Sequence, residues 1–286
     1  MKQLLLLTDF TANSAHAATT ALWLCKKLNT DLLLYHSVQY VPFVNDYTYG
    51  SYVTETADSL FEESKEKLTK EVEALQPLTL QIPGFQPKIN YESGEGYLGN
   101  NVNKLSGQEQ ISLIVMGGRT GGPLDHLLTG SETSAVIRNI KKPLLVIPEK
   151  ADLKKLVKIV FATDFSATDT EAIDYLLELA YLLKLQIEVV HILKPGSSTL
   201  GIEREVEFRK YLNSLDQQII SYKAIFSEHI VQRLQDYCKE TNAHLLAMTH
   251  ARYDFISRLF NHSETKEVIA NQQVAVMIFP QTFKKS

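Results

Sequence analysis

Cysteine is nearly absent from this sequence: Cys25 and Cys238 are the only two in 286 residues. They fall in different halves, each inside an amphipathic helical pattern. That placement argues for reduced core or boundary thiols, against a disulfide framework or a metal site. Long apolar runs are missing too. Only Leu4 to Leu7 precede Thr8-Asp9, too few for a signal-peptide core or a membrane span, so the expected location is cytoplasmic and off the membrane. There is no excess of one charge: 29 Lys and Arg face 33 Asp and Glu, a net charge of -4. This gives no support to nucleic-acid binding, which needs clustered cations. The pairs Lys141-Lys142, Lys154-Lys155 and Lys284-Lys285 are solvated helix ends, linker and tail. No paired carboxylates, metal-ligand cluster or Ser-His-Asp set can be placed on one site, so fast catalysis has no visible machinery. Glycine is scarce in one half only: eleven of thirteen lie before Lys150.

What is present is a globular composition, 44% hydrophobic and 22% charged, at a length suited to two domains. The chain says nearly the same thing twice. Thr8-Asp9-Phe10-Thr11 returns as Thr163-Asp164-Phe165-Ser166, and Tyr35-His36 as Val190-His191, at an offset of 155 residues. Met116 and Ser131-Glu132-Thr133 return as Met248 and Ser263-Glu264-Thr265, at an offset of 132. The expected domains are residues 1–149 and 155–282, with a polar seam near Glu149 to Leu156.

Each half alternates strands with helices, the pattern of a parallel sheet covered on both faces. The first half offers strands at Gln3 to Leu7, Asp31 to Ser37, Leu78 to Tyr91, Ser112 to Met116 and Leu144 to Ile147. The second offers Lys158 to Ala162, Gln186 to Ile192, Ile219 to Phe226, His244 to Met248 and Val274 to Phe279. The expected fold class is α/β: two tandem copies of an open, parallel five-stranded sheet with helices on both faces, packed as a pseudo-dimer. An isolated copy would leave its last strand as an unpaired edge, so the two halves are expected to pack against each other.

Gly94-Glu95-Gly96-Tyr97-Leu98-Gly99 matches G-x-G-x-x-G, but it follows the third strand instead of the first and lacks the acidic residue about 20 positions on. It is expected to be a turn needing positive φ. The stretch from Met116-Gly117-Gly118-Arg119-Thr120-Gly121-Gly122-Pro123 to Gly130-Ser131 leaves a buried strand and enters a helix. Backbone N–H groups and a helix N-terminus there suit an anion; the plain alternative is a surface loop with Ser131 as N-cap. It is not a Walker loop, since no Gly-Lys-Ser/Thr follows. Asp9 shares the C-terminal sheet edge with this loop, where ligands of open parallel sheets bind; otherwise it caps the next helix. His36 and His191 are expected as hydrogen-bonded core residues. Tyr40 to Thr54, with Tyr47, Tyr49 and Tyr52, is an aromatic loop, a sheet-edge cover or subunit contact in one reading and a lid in the other.

These residues carry a resemblance. Both halves resemble universal stress protein domains in the Thr-Asp-Phe-Ser/Thr signature, the His ending the second strand, and Lys141-Lys142-Pro143 leading to Leu144-Leu145-Val146-Ile147-Pro148. In that family the last strands pair across a two-fold, so the resemblance implies that Leu144 to Ile147 runs beside Val274 to Phe279. The family's ATP-binding pattern, Gly-x2-Gly-x9-Gly-Ser/Thr, falls on Gly117, Thr120, Gly130 and Ser131. Thr120 stands where the family has glycine, with Gly121 one place later, and Glu132 adds a negative charge. The resemblance implies that Thr8 and Asp9 lie near adenine and ribose, Ser37 near adenine, and Gly117, Gly118, Thr120, Gly121, Gly130 and Ser131 on the phosphates. It implies an adenine nucleotide, ATP or else AMP or ADP, with magnesium and a homodimer open. It also implies a regulatory role in stress response, with slow ATP hydrolysis open and the protein partner unnamed. In the second half the four places read Thr249, Arg252, His262 and Ser263, so the phosphate cradle is lost. There, His250, Arg252, Arg258 and His262 form a polar surface loop or hold an anion by charge. A rival from another class is a nucleotide-free protein–protein interaction module, favoured by Thr120 and Glu132. An ATP-pyrophosphatase-type enzyme is disfavoured because no glycine follows the first strand.

Overall fold

The computed structural model describes residues 2–39, 57–81, 84–118, 131–193, 202–249 and 274–285. The first half runs β1 (Gln3–Leu7), α1 (Ala12–Leu28), β2 (Asp31–Val38), α2 (Ala57–Gln81), β3 (Ile89–Glu95), α3 (Leu98–Ser106), β4 (Ile111–Gly117), α4 (Ser131–Asn139) and β5 (Leu144–Ile147). A 3-10 turn at Leu153–Lys155 leads to the second half: β6 (Lys158–Ala162), α5 (Asp169–Leu183), β7 (Gln186–Leu193), α6 (Ile202–Asn213), β8 (Ile220–Phe226), α7 (Ile230–Glu240), β9 (Leu245–Thr249) and β10 (Ala275–Phe279). The Tyr40 to Thr54 segment lies outside the described residues.

Leu4 to Leu7 are apolar without a break because parallel strands are buried on both faces, and all four are buried. Helix α1 lays Ala17, Ala21, Leu22 and Cys25 on the sheet and ends at Asn29, whose left-handed φ of 52° lets its N–H reach the Cys25 carbonyl. Helix α5 ends the same way at Lys184, φ 58°, on the Ala180 carbonyl. Both cysteines are buried and free, and burial pushes each thiol up to about 12.

The sheet has ten strands in the order β3-β2-β1-β4-β5-β10-β9-β6-β7-β8. All pairings are parallel except one: β5 and β10 run antiparallel, with Val146 opposite Val276, Leu145 opposite Met277 and Leu144 opposite Ile278. The last strands of the two halves pair as expected. One apolar layer, under α1, α2, α5 and α6, runs from Leu4 and Leu145 through Met277 to Phe161 and Phe208. The opposite layer, under α3, α4 and α7, includes Val146, Val276, Val136 and Tyr237.

One expected strand is corrected. Leu78 to Tyr91 does not form a single strand: α2 continues through Pro77 to Gln81, and β3 begins only at Ile89. The alternation of Leu78, Thr79, Leu80 and Gln81 mimics a strand, but tertiary contacts hold the last helical turn. Lys26 of α1 donates its Nζ to the Thr79 carbonyl, satisfying a group that a helix end leaves without a partner. Thr79 Oγ1 donates to the Gln76 carbonyl at 2.7 Å, and Leu78 packs on the core.

The continuous sheet predicts that the halves unfold together. Met277→Ala removes a buried side chain in the second half and should cost about 2 to 5 kcal/mol. The one tryptophan, Trp23, sits on α1 in the first half, so its fluorescence midpoint in denaturant should fall together with the far-UV transition. A Trp23 transition left in place by this second-half substitution would show that the halves unfold independently.

Candidate functional site

The order of the first five strands reverses between β1 and β4, and the crevice at such a reversal, off the carboxyl ends of the strands, is where open α/β sheets receive ligands. The chain leaves β1 in a tight turn. Phe10 takes a left-handed φ of 61°, a conformation costing a non-glycine residue about 1 to 2 kcal/mol. Its N–H donates to Thr8 Oγ1 at 3.2 Å, and its ring lies on His36 at 4.5 Å between centroids. His36 Nδ1 lies 2.9 Å from the Thr8 carbonyl oxygen. A carbonyl only accepts, so that nitrogen carries the hydrogen. His36 is thus a hydrogen-bonded support for the turn. The second half repeats the device: Phe165 has φ 62°, packs 4.3 Å from His191, and His191 Nδ1 lies 2.9 Å from the Thr163 carbonyl oxygen.

Asp9 is exposed at the turn, with Oδ1 accepting from the Thr11 N–H at 3.1 Å and Thr11 Oγ1 at 2.6 Å. It does not cap α1. The cap is Thr11, whose side chain accepts from the Ser14 N–H. Thr8 is buried; its Oγ1 donates to Glu71 Oε2 of α2 at 2.9 Å and lies 3.2 Å from Ser14 Oγ.

Ser37, near the end of β2, donates its hydroxyl to the Gly96 carbonyl at 2.7 Å and accepts from Asn101 Nδ2 at 3.0 Å. Its side chain is committed within the protein. Its backbone points elsewhere. The Thr8 N–H bonds the Tyr35 carbonyl on one side of β2, and the Gly96 N–H bonds the Val38 carbonyl on the other. Since successive residues of a strand alternate sides, the Ser37 N–H and C=O point toward β1, beyond the place where β1 ends. The glycine-rich segment here is a turn: Gly96 has φ 100°. Gly94 instead makes room for Tyr35, whose hydroxyl oxygen occupies the space a Cβ would need.

Gly117 ends β4 against α1: a Cβ there would lie 2.7 Å from the Asn13 carbonyl oxygen. The Gly118 N–H is used, donating to the Ile147 carbonyl at 2.8 Å. Ser131 is the first residue of α4, so the positive end of that helix faces the same edge. Thr120, Gly121 and Gly130 lie outside the described residues, as do His250, Arg252, Arg258, His262 and Ser263 in the second half. The described residues place Thr8, Asp9, Ser37, Gly117 and Ser131 along one edge of the sheet.

Sequence reasoning missed Glu71. It sits in mid-α2 with no motif around it, and its Oε1 is buried without a hydrogen-bond partner. Burial raises its carboxyl above the ordinary value, the Thr8 hydroxyl lowers it, and the charge of Asp9 raises it further. The folded protein therefore favours neutral Glu71 more than the unfolded chain does. Its contribution to stability is present below the unfolded glutamate value of about 4.3 and is lost as pH rises through the higher folded value. Glu71→Gln retains an acceptor for Thr8 and escapes this loss. The Tm difference, variant minus wild type, should be more positive at about pH 7 than at about pH 4. Equal differences at both would contradict the assignment.

Among the described residues, no helix is long and apolar enough to cross a membrane and no three His, Cys, Asp or Glu side chains gather to hold a metal. In sequence, the chain is 25% identical to the universal stress protein Slr1230 of Synechocystis over 298 aligned positions, covering 98% of this chain and all of that protein. It is 30% identical to the universal stress protein MJ0531 of Methanocaldococcus jannaschii over 148 positions, covering 51% of this chain and 81% of that one. In structure it resembles a universal stress protein from Archaeoglobus fulgidus with a TM-score of 0.68 at 18% identity, covering 98% of each chain, a likeness of fold. The family model for universal stress proteins matches twice, over residues 1–148 and 156–280. The chain therefore belongs to the universal stress protein family, as a member carrying two of its domains in tandem.

Proposed function

We propose that the first half binds one adenine nucleotide, ATP foremost, and that the protein acts in stress response as a nucleotide-dependent regulator. The observation that carries this reading is the sorting of donors and acceptors along one sheet edge. At the β1 end stand acceptors: the carboxylate of Asp9 and, behind Thr8, the carboxyl oxygen of Glu71. Ribose hydroxyls are donors and suit that end. At the β4 end stand a glycine exit, Gly117-Gly118, and the N-terminus of α4 at Ser131, which suit phosphates. Between them the Ser37 N–H and C=O offer one donor and one acceptor side by side.

That pair matches adenine's edge, where N1 accepts and the 6-amino group donates; guanine presents O6 as acceptor and N1–H as donor, the reverse order. Reversing the base would carry its ribose away from Asp9. Magnesium enters this reading with the phosphates. The carboxylate of Asp9 also weighs against an anion at the β1 end, which favours an interaction module as the second reading.

Calorimetry of the full chain should give one site preferring ATP to GTP. Gly130→Asp should abolish binding, because a carboxylate against the phosphates removes charge-assisted hydrogen bonds of about 1.5 to 3 kcal/mol each, several powers of ten in affinity for two or three. Ser263→Asp, at the matching place in the second half, should leave it unchanged. Equal affinity for both nucleotides contradicts the adenine reading; no binding to either supports the interaction module.

A further inference from the structure

At the matching crevice of the second half, a carboxylate stands where the first half has a neutral hydroxyl. Asp169 occupies the place of Ser14 and is fully buried. Its Oδ2 accepts from Thr163 Oγ1 at 2.5 Å and the Ser166 N–H at 3.2 Å; its Oδ1 accepts from Ser166 Oγ at 2.6 Å and Thr249 Oγ1 at 2.7 Å. Thr163 follows β6, Thr249 ends β9, and Ser166 lies in the turn before α5. One carboxylate therefore ties the ends of the two strands between which the strand order reverses to the start of the helix that covers them.

Thr249 stands where the first half has Gly117. In the first half no side chain fits there, and Thr11 caps α1 by accepting from the Ser14 N–H. In the second half a threonine fills the space, Ser166 gives its hydroxyl to Asp169 in place of capping, and α5 opens at Thr168 without a side-chain cap. The spacing Ser166-x-x-Asp169 resembles a capping box, which accounts for the Ser166 N–H contact. It does not account for the two threonines reaching the same carboxylate from separate strands. A carboxyl group buried alone is costly; burial raises the Asp169 carboxyl above its ordinary value, hydrogen bonds from Ser166, Thr163 and Thr249 lower it, and a ligand entering between β6 and β9 would have to break these bonds and leave the group without partners.

We propose that Asp169 is a resident substitute for a ligand: it fills the crevice of the second half with the protein's own carboxylate, fixes that half in a closed form, and limits the chain to one ligand. The closed form stands on the second half alone. The limit on ligand number rests on the nucleotide reading of the first half.

Two measurements separate these parts. In the full-length chain, Asp169→Ser, and independently Thr249→Val, should speed amide hydrogen exchange at residues 163–169 and 245–249 by roughly tenfold or more, with β1 at Gln3–Leu7 unchanged. Having two variants guards against one that fails to fold. Unchanged exchange at Ser166 in both overturns the proposal, whatever the first half binds. The converse transplant, Ser14→Asp with Gly117→Thr, puts the same pair into the first half. Where wild type binds ATP, the transplanted chain should fold with a cooperative melt and lose that binding by a factor of about a hundred or more. A folded transplant that binds ATP as wild type does overturns the limit on ligand number. A wild type that binds no nucleotide sinks the nucleotide reading and that limit with it, and leaves the exchange result to decide the closure.

Discussion

Everything in this molecule is arranged around the antiparallel pairing of β5 with β10. Each strand is apolar throughout and buried, Leu144 to Ile147 on one side and Ala275 to Phe279 on the other. Either half alone would end in an apolar strand edge with a row of unpaired N–H and C=O groups. The pairing removes both edges at once and runs two apolar layers through the whole chain. It also fixes the geometry of function. Because the seam is the one antiparallel step in an otherwise parallel sheet, the carboxyl ends of the first five strands point opposite to those of the second five. The two crevices therefore open on opposite edges of the sheet.

Within that frame the two halves share a scaffold and differ in chemistry. Both leave their first strand through a Thr-Asp-Phe turn with phenylalanine in a left-handed conformation, braced by a histidine bonded to the preceding carbonyl. The divergence lies one turn further on. Ser14 beside Gly117 puts a neutral hydroxyl at the strand ends of the first crevice, whereas Asp169 beside Thr249 makes the second a saturated polar knot. A few side chains at matching positions thus separate a half suited to a ligand from a half suited to support it.

Much of this was legible in the residues. Gln3–Leu7, Leu144–Ile147 and Lys158–Ala162 coincide with their expected ranges because unbroken apolar runs bounded by polar residues leave little freedom of placement. The β5–β10 pairing was legible from the edge problem together with the family resemblance, in which last strands pair across a two-fold. The end of α2 was not legible: its hold comes from Lys26, distant in sequence, reaching the Thr79 carbonyl. Nor was Glu71, whose meeting with Thr8 depends on how α2 lies across the sheet. Asp169 did leave a signal, the Ser166-x-x-Asp169 spacing, but the convergence of Thr163 and Thr249 on it exists only in three dimensions.

The central claim is one adenine nucleotide per chain, held in the first half. Native mass spectrometry of the full-length protein, with ATP and GTP both in equal excess, tests it most directly. The account predicts a single added mass per chain, that of ATP. Two added nucleotides, equal occupancy by GTP, or an unliganded chain would contradict it.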